Sequence, residues 1–232
     1  MTSKEKYISS IIPVFNEEKN LDNFLNRICS FKNIDEIICI DDGSQDHSLE
    51  ILNRYHSKIR IIHFQINKGK GSALSAGIKA AHGEIVLFLD SDLLNLDQKH
   101  VQALLDPLFD KSGKAVVGYC RSSEIHIKLA EFISGQRAYY RNDLASHLDE
   151  MENMRYGIEM YLNSLFHPMD VKFIPLENLR SAYKFEKNGS KAAARQYYRE
   201  GREIIQTLPQ TILTDRFANI IISRIKNYLP IV

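Results

Sequence analysis

Two aspartates, Asp90 and Asp92, stand two residues apart directly after the apolar run Ile85-Val86-Leu87-Phe88-Leu89. Carboxylates this close repel each other unless a cation joins them. Hard oxygen ligands of this kind suit Mg2+ or Mn2+, which reach a protein through one or two carboxylates and take their other ligands from water and substrate phosphates. Asp-x-Asp is also frequent in solvated loops, so position in the fold has to decide its meaning. Asn67-Lys68-Gly69-Lys70-Gly71-Ser72 is a second candidate. It opens a helical segment, where glycines allow close backbone approach and helix N–H groups attract anions, and Lys70 is the side chain that would touch a phosphate. A solvated basic turn is the competing reading. The spacing is not that of a Walker loop, whose first glycine would fall at Gln65, and no Gly-x-Gly-x-x-Gly follows the first apolar run.

The elements that must position these residues follow from hydrophobic periodicity. Apolar runs predict strands at Ile8 to Val14, Glu36 to Ile40, Ile59 to Phe64, Ile85 to Leu89 and Ala115 to Tyr119, with the continuous apolar character of strands covered on both faces. Between them, Leu21, Phe24, Leu25 and Ile28 fall at helical spacing, as do Ala73, Leu74, Gly77 and Ile78, and Val101, Leu104, Leu105 and Leu108. Ser48 is expected to cap the second helix. This alternation predicts an α/β class, a mostly parallel Rossmann-like sheet flanked by helices. Ligands bind such sheets beyond the carboxyl ends of the strands. Pro13-Val14-Phe15-Asn16-Glu17-Glu18, Asp41-Asp42-Gly43-Ser44, Asp90-Ser91-Asp92 and Arg121 all lie there.

Beyond about residue 125 no further strand is predicted until Val171 to Ile174, and helical segments dominate. Lys191 to Ile205 has strong helix propensity, and Pro209 is placed to end it. Phe217, Ile220, Ile221, Ile225 and Leu229 form a final apolar stripe. It reads as a helix docked on its own domain, with a homodimer contact or a peripheral membrane-surface helix as alternatives.

The 232 residues suffice for one large core, and 44% hydrophobic with 25% charged residues excludes disordered and fibrous classes. Cys29, Cys39 and Cys120 form neither a disulfide framework nor metal-ligand spacing, which predicts a reducing compartment. No signal peptide is expected, and the longest apolar runs fall short of the ~20 residues of a membrane span. A cytoplasmic location follows from these readings. Net charge is +1, but residues 180–232 hold ten Lys and Arg against four Asp and Glu, a basic tail suited to phosphates or anionic lipid heads. No nucleic-acid partner is expected.

Taken in order, Ile11-Ile12-Pro13-Val14-Phe15-Asn16-Glu17-Glu18, Ile40-Asp41-Asp42-Gly43-Ser44-Gln45-Asp46, Gly69-Lys70-Gly71 and Asp90-Ser91-Asp92 resemble glycosyltransferase family two, nucleotide-sugar enzymes of the GT-A fold. The resemblance covers roughly residues 7–125. It implies that Pro13, Phe15 and Glu17 line a nucleoside pocket, with Asp42 bonding a uracil or guanine base. It further implies that Lys70 and Arg121 neutralise the diphosphate of a UDP- or GDP-linked sugar, and that Asp90 and Asp92 hold Mg2+ or Mn2+ with Ser91 between them on the donor side. Locally, Asp90-Ser91-Asp92-Leu93-Leu94-Asn95 and Leu104-Leu105-Asp106-Pro107-Leu108 look most like glucosyl-3-phosphoglycerate synthases. Residues 1–125 would then be the donor half, 126–190 the acceptor half of the same domain, and 191–232 a helical C-terminal extension.

Ser134-Gly135-Gln136-Arg137-Ala138 and Tyr156-Gly157-Ile158-Glu159 resemble segments that shape the acceptor side in this family. If the configuration inverts, a carboxylate base is required, and Glu159 is the candidate beside the catalytic Asp92. If it is retained, no such base is needed. The acceptor is expected to be a small anion or a lipid phosphate, with Lys184 and Lys187 holding it, although a solvated basic face explains the same charges. The rival readings are a sugar-phosphate nucleotidyltransferase and a non-catalytic nucleotide-sugar-binding protein.

Overall fold

β1 (Ile8–Val14) sends Ile8, Ile12 and Val14 into one hydrophobic core and Ile11 into another. Successive strand side chains point to opposite faces, so a strand apolar on both must be covered on both. The computed structural model describes residues 6–120, 134–154 and 157–182 of the chain, all within one compact unit, Met1–Ala182. The other elements are α1 (Leu21–Ile28), β2 (Glu36–Asp41), α2 (Ser48–Arg54), β3 (Arg60–His63), α3 (Lys70–Ala80), β4 (Ile85–Phe88), α4 (Gln98–Phe109), β5 (Ala115–Cys120), β6 (Gln136–Tyr140), α5 (Arg141–Leu144), α6 (Leu148–Glu152), α7 (Ile158–Ser164) and β7 (Val171–Leu176).

The strands form one sheet in the order β3-β2-β1-β4-β6-β5-β7. β1 is parallel to β2 and to β4, with Val14 opposite Asp41 and Ile11 opposite Phe88. Their carboxyl ends therefore open at one edge. Helices α1, α2 and α4 bury the predicted stripes on one face, Leu21, Phe24, Leu25 and Ile28 among them. On the other face, Ala73, Leu74 and Ile78 of α3 pack with Met151 of α6 and with Ile158 and Leu162 of α7. An Asp97 capping box starts α4, whose buried His100 also meets the Glu177 carbonyl at 2.8 Å.

Three expectations need correction. A strand was not expected between residues 125 and 171, yet β6 runs antiparallel between β4 and β5. Its sequence, Gln-Arg-Ala-Tyr-Tyr, is buried without alternating polarity, because Gln136 and Arg137 satisfy their polar atoms internally. The third strand is covered on both faces only at its centre: β3 is a sheet-edge strand in which Ile61 and Ile62 pack partly against the two opposite cores while Arg60 and His63 are exposed. Ser48 does not cap α2 but begins it, and its hydroxyl accepts the Glu17 N–H at 2.8 Å.

The start of α3 is fixed by backbone contact. Gly71 N donates to the Met154 carbonyl at 3.1 Å, and a Cβ at Gly71 would collide with the carbonyl oxygens of Met151 and Met154. Only glycine lets the first turn of α3 lie against the chain that leads into α7. Gly71→Ala is therefore expected to lower stability by about 1–3 kcal/mol through overpacking, read as a drop in the urea midpoint. An unchanged midpoint would mean that this docking is not tight.

Candidate active site

The carboxyl ends of β1, β2 and β4 are stitched together by short polar contacts. Asn16, at a left-handed φ of 56°, donates its N–H to Ser44 Oγ at 3.0 Å and accepts Gln45 N–H on its side chain at 2.8 Å. Glu18 N–H meets Asp46 Oδ2 at 3.1 Å. Buried Ser91 donates to the Pro13 carbonyl at 3.1 Å, tying β4 to β1. These contacts leave Phe15 44% exposed at the rim, an aromatic face turned to solvent. Ser91 thus serves as a brace inside the site.

Asp42 is buried, and its carboxylate is already engaged. It accepts Lys68 N–H at 2.7 Å, Gly69 N–H at 2.9 Å and Asn67 Nδ2 at 2.9 Å. It therefore sets the turn from which α3 and Lys70 emerge. The same contacts revise the reading of the glycine-rich segment as a backbone phosphate cradle. The N–H groups of residues 68, 69 and 71 take internal acceptors, which narrows the backbone donors of this segment, and Lys70 adds an ammonium at the start of α3.

Lys70 Nζ lies 2.7 Å from Asp90 Oδ1 and 2.7 Å from Glu159 Oε1. Burial alone would lower its pKa, but the pull of Asp90 and Glu159 and the two hydrogen bonds more than offset this, so the ammonium is held well above its ordinary value. Glu159 is consequently a member of the cluster and not a solvated helix-surface residue. Gly157, at φ 85°, turns the chain into α7 so that Glu159 falls in its first turn. Buried Arg137 braces the same helix, donating to Asn163 Oδ1 at 2.7 Å and to the Ser134 carbonyl at 2.6 Å.

Asp92 sits on the turn after β4. Its carbonyl accepts Ala182 N–H at 2.9 Å, Leu93 bridges Ser181, and Leu94 N–H meets the Arg180 carbonyl at 2.8 Å, so residues 180–182 hold the turn in place. Burial, with the charges of Asp90 and Asp92 adding to it, pushes the Cys120 thiol at the end of β5 up to about 11. That thiol stays protonated near neutrality and is no nucleophile.

Sequence reasoning missed two contacts of this neighbourhood. Gln136 Nε2 donates to Asp90 Oδ2 at 2.9 Å, although its segment resembled an acceptor-side element. Fully buried Asp41 pairs with His63 Nδ1 at 2.7 Å, a contact foreshadowed only by the parallel register that sets Asp41 beside His63. Arg121, Lys184 and Lys187 lie outside the described residues, as does the 191–232 extension.

An uncharacterized glycosyltransferase of Synechocystis sp. is 41% identical over 93 residues, 37% of this chain and 29% of its own length. The dodecaprenyl-phosphate galacturonate synthase of Rhizobium johnstonii is 31% identical over 120 residues, 48% of this chain and 35% of its own length. The chain spans about a third of the length of these curated relatives. Among solved structures, glucosyl-3-phosphoglycerate synthase from Mycobacterium tuberculosis, in complex with Mn2+, uridine-diphosphate and glucosyl-3-phosphoglycerate, has a TM-score of 0.62 at 21% identity. The match covers 84% of this chain and 80% of that one, and establishes a shared GT-A fold. Residues 9–161, most of the length, match the family described as glycosyl transferase family 2, and the chain belongs to it.

Proposed function

We propose that this chain transfers a sugar from a UDP- or GDP-linked donor, with Mg2+ or Mn2+, to a phosphate-bearing acceptor, free or on a lipid. The observation that carries the reading is the convergence of Lys70, Asp90 and Glu159 at the strand ends of a family 2 domain. The dodecaprenyl-phosphate and phosphoglycerate chemistry named for the relatives supports the acceptor class. A cytoplasmic site of action is part of the reading, and the thiols among the described residues are free. No helix among the described residues is long and apolar enough to cross a membrane.

Phe15 offers its exposed face to stack on the base, with Pro13 and Glu17 beside it on the same strand end. Asp42 acts on the donor through the turn it holds. Lys70 stabilises charge on the departing diphosphate, joined by Arg121. Asp90 and Asp92 would hold the divalent ion, whose chemistry is to neutralise the diphosphate as it leaves. Their oxygen donors and their place at the end of β4 fit an ion that takes one or two carboxylates and completes its shell on phosphates. Glu159, in the same cluster, is the base for an acceptor hydroxyl if configuration inverts. Lys184 and Lys187 are proposed to hold the acceptor phosphate.

The test is incubation with UDP- and GDP-sugars and Mn2+, scored for nucleoside-diphosphate release, on the parent chain and on Asp92→Ala and Asp90→Ala. The parent is expected to release diphosphate only with metal. Both variants should lose at least about 100-fold in turnover while remaining folded, with Asp90→Ala melting lower because Lys70 and the buried Gln136 amide lose a partner. Pyrophosphate release, or full activity in both variants, would overturn the reading. Asp42→Ala is expected to lower stability by about 1–3 kcal/mol by leaving buried N–H groups unsatisfied, and to weaken nucleoside-diphosphate binding as the Lys70 turn loosens. Urea unfolding and calorimetry measure the two effects, and an unchanged affinity would remove Asp42 from the donor site.

A further inference from the structure

Asp90 is gripped from two sides. Its Oδ1 faces Lys70 at 2.7 Å, and its Oδ2 accepts from Gln136 Nε2 at 2.9 Å. Lys70 approaches from the start of α3, whereas Gln136 is the first residue of β6. The antiparallel register sets Arg137 opposite Phe88, so Gln136 and Gly135 run past the end of β4 toward Asp90. Gly135 clears space there, because a Cβ at that position would meet both Asp90 carboxylate oxygens and force the carboxylate to shift. Gln136 is itself 4% exposed, and its Oε1 lies 2.7 Å from the Ser134 hydroxyl. A carboxylate only accepts, so the amide must turn Nε2 toward Asp90 and Oε1 toward the hydroxyl. The amide is thereby fixed at Asp90, and at its other end the Ser134 hydroxyl shares its one proton between Oε1 and the Gly118 carbonyl.

We propose that Gln136 is a positioning residue for the donor site: held by Ser134, it locks the carboxylate plane of Asp90 against rotation, with Gly135 clearing the space, and so sets the affinity for the metal–nucleotide pair. The inference rests on the glycosyltransferase reading of the Asp90 site. The charge of the side chain matters as well as its reach. A neutral amide donates without competing for Lys70, whereas a second carboxylate would repel Asp90 and a hydrocarbon would leave Oδ2 without this donor. Partners that orient a metal-binding side chain typically carry 10–100-fold in metal affinity or activity.

The experiment is a double-mutant cycle read by calorimetric binding of Mn2+ with UDP or GDP. It uses the full chain and its Gln136→Leu, Gln136→Met, Asp90→Ala and combined Gln136→Met/Asp90→Ala variants. Each Gln136 variant is expected to weaken binding about 10–100-fold, with a melting temperature near that of the parent. In the Asp90→Ala background Gln136→Met should cause no further loss, because the residue acts only through Asp90. A merely structural residue would give the same fold-loss in both backgrounds, and that result, or parental affinity in Gln136→Met, overturns the assignment. Met keeps the length and volume of Gln and decides the matter if the Leu variant does not fold. A parent chain that binds neither nucleotide with Mn2+ fails the functional reading itself, a result distinct from additive losses in a parent that binds.

Discussion

The Lys70 ammonium, held at 2.7 Å by both Asp90 and Glu159, joins three elements that are distant along the chain: the start of α3, the end of β4 and the first turn of α7. A partly buried charge is tolerated only when it is paired and hydrogen-bonded. Removing one partner of a fully buried pair costs about 3–5 kcal/mol, but these side chains are 28%, 30% and 17% exposed, so solvent screening makes the loss here smaller. The cluster thus matters more for geometry than for stability. It brings segments 20 and 89 positions away in the family 2 domain onto one cation.

Much of the surrounding structure keeps that cation in place. Asp42 fixes the turn before Lys70, the missing side chain of Gly71 lets α3 dock on the Met151 and Met154 carbonyls, and Arg137 ties β6 to α7. None of these residues needs to touch a substrate to matter. A shift of about 1 Å in a charged group forfeits much of its catalytic benefit, so such braces belong to the function.

The strand ends were legible in the sequence because β1, β2 and β4 are covered on both faces and read as unbroken apolar runs. Asp90 and Asp92 could therefore be placed at the mouth of a sheet before any coordinates. β6 was not legible, because Gln136 and Arg137 look like surface residues and their burial depends on partners at Asp90 and Asn163. The partners of Lys70, 20 and 89 positions away, carry no local signal. The glycine-rich segment hid a related feature: three of its N–H groups go to Asp42 and Met154, acceptors that only the tertiary fold brings near. Ser48 failed as a cap because Glu17 N–H claims its hydroxyl from another loop.

If Lys70 is the charge that this framework presents to a diphosphate, the direct measurement is calorimetric binding of uridine or guanosine and of their diphosphates to the parent chain and to Lys70→Met. The account predicts that the variant keeps the nucleoside affinity and loses at least about tenfold in diphosphate affinity, a difference of about 1.4 kcal/mol. Equal diphosphate affinity in a folded Lys70→Met variant would contradict it.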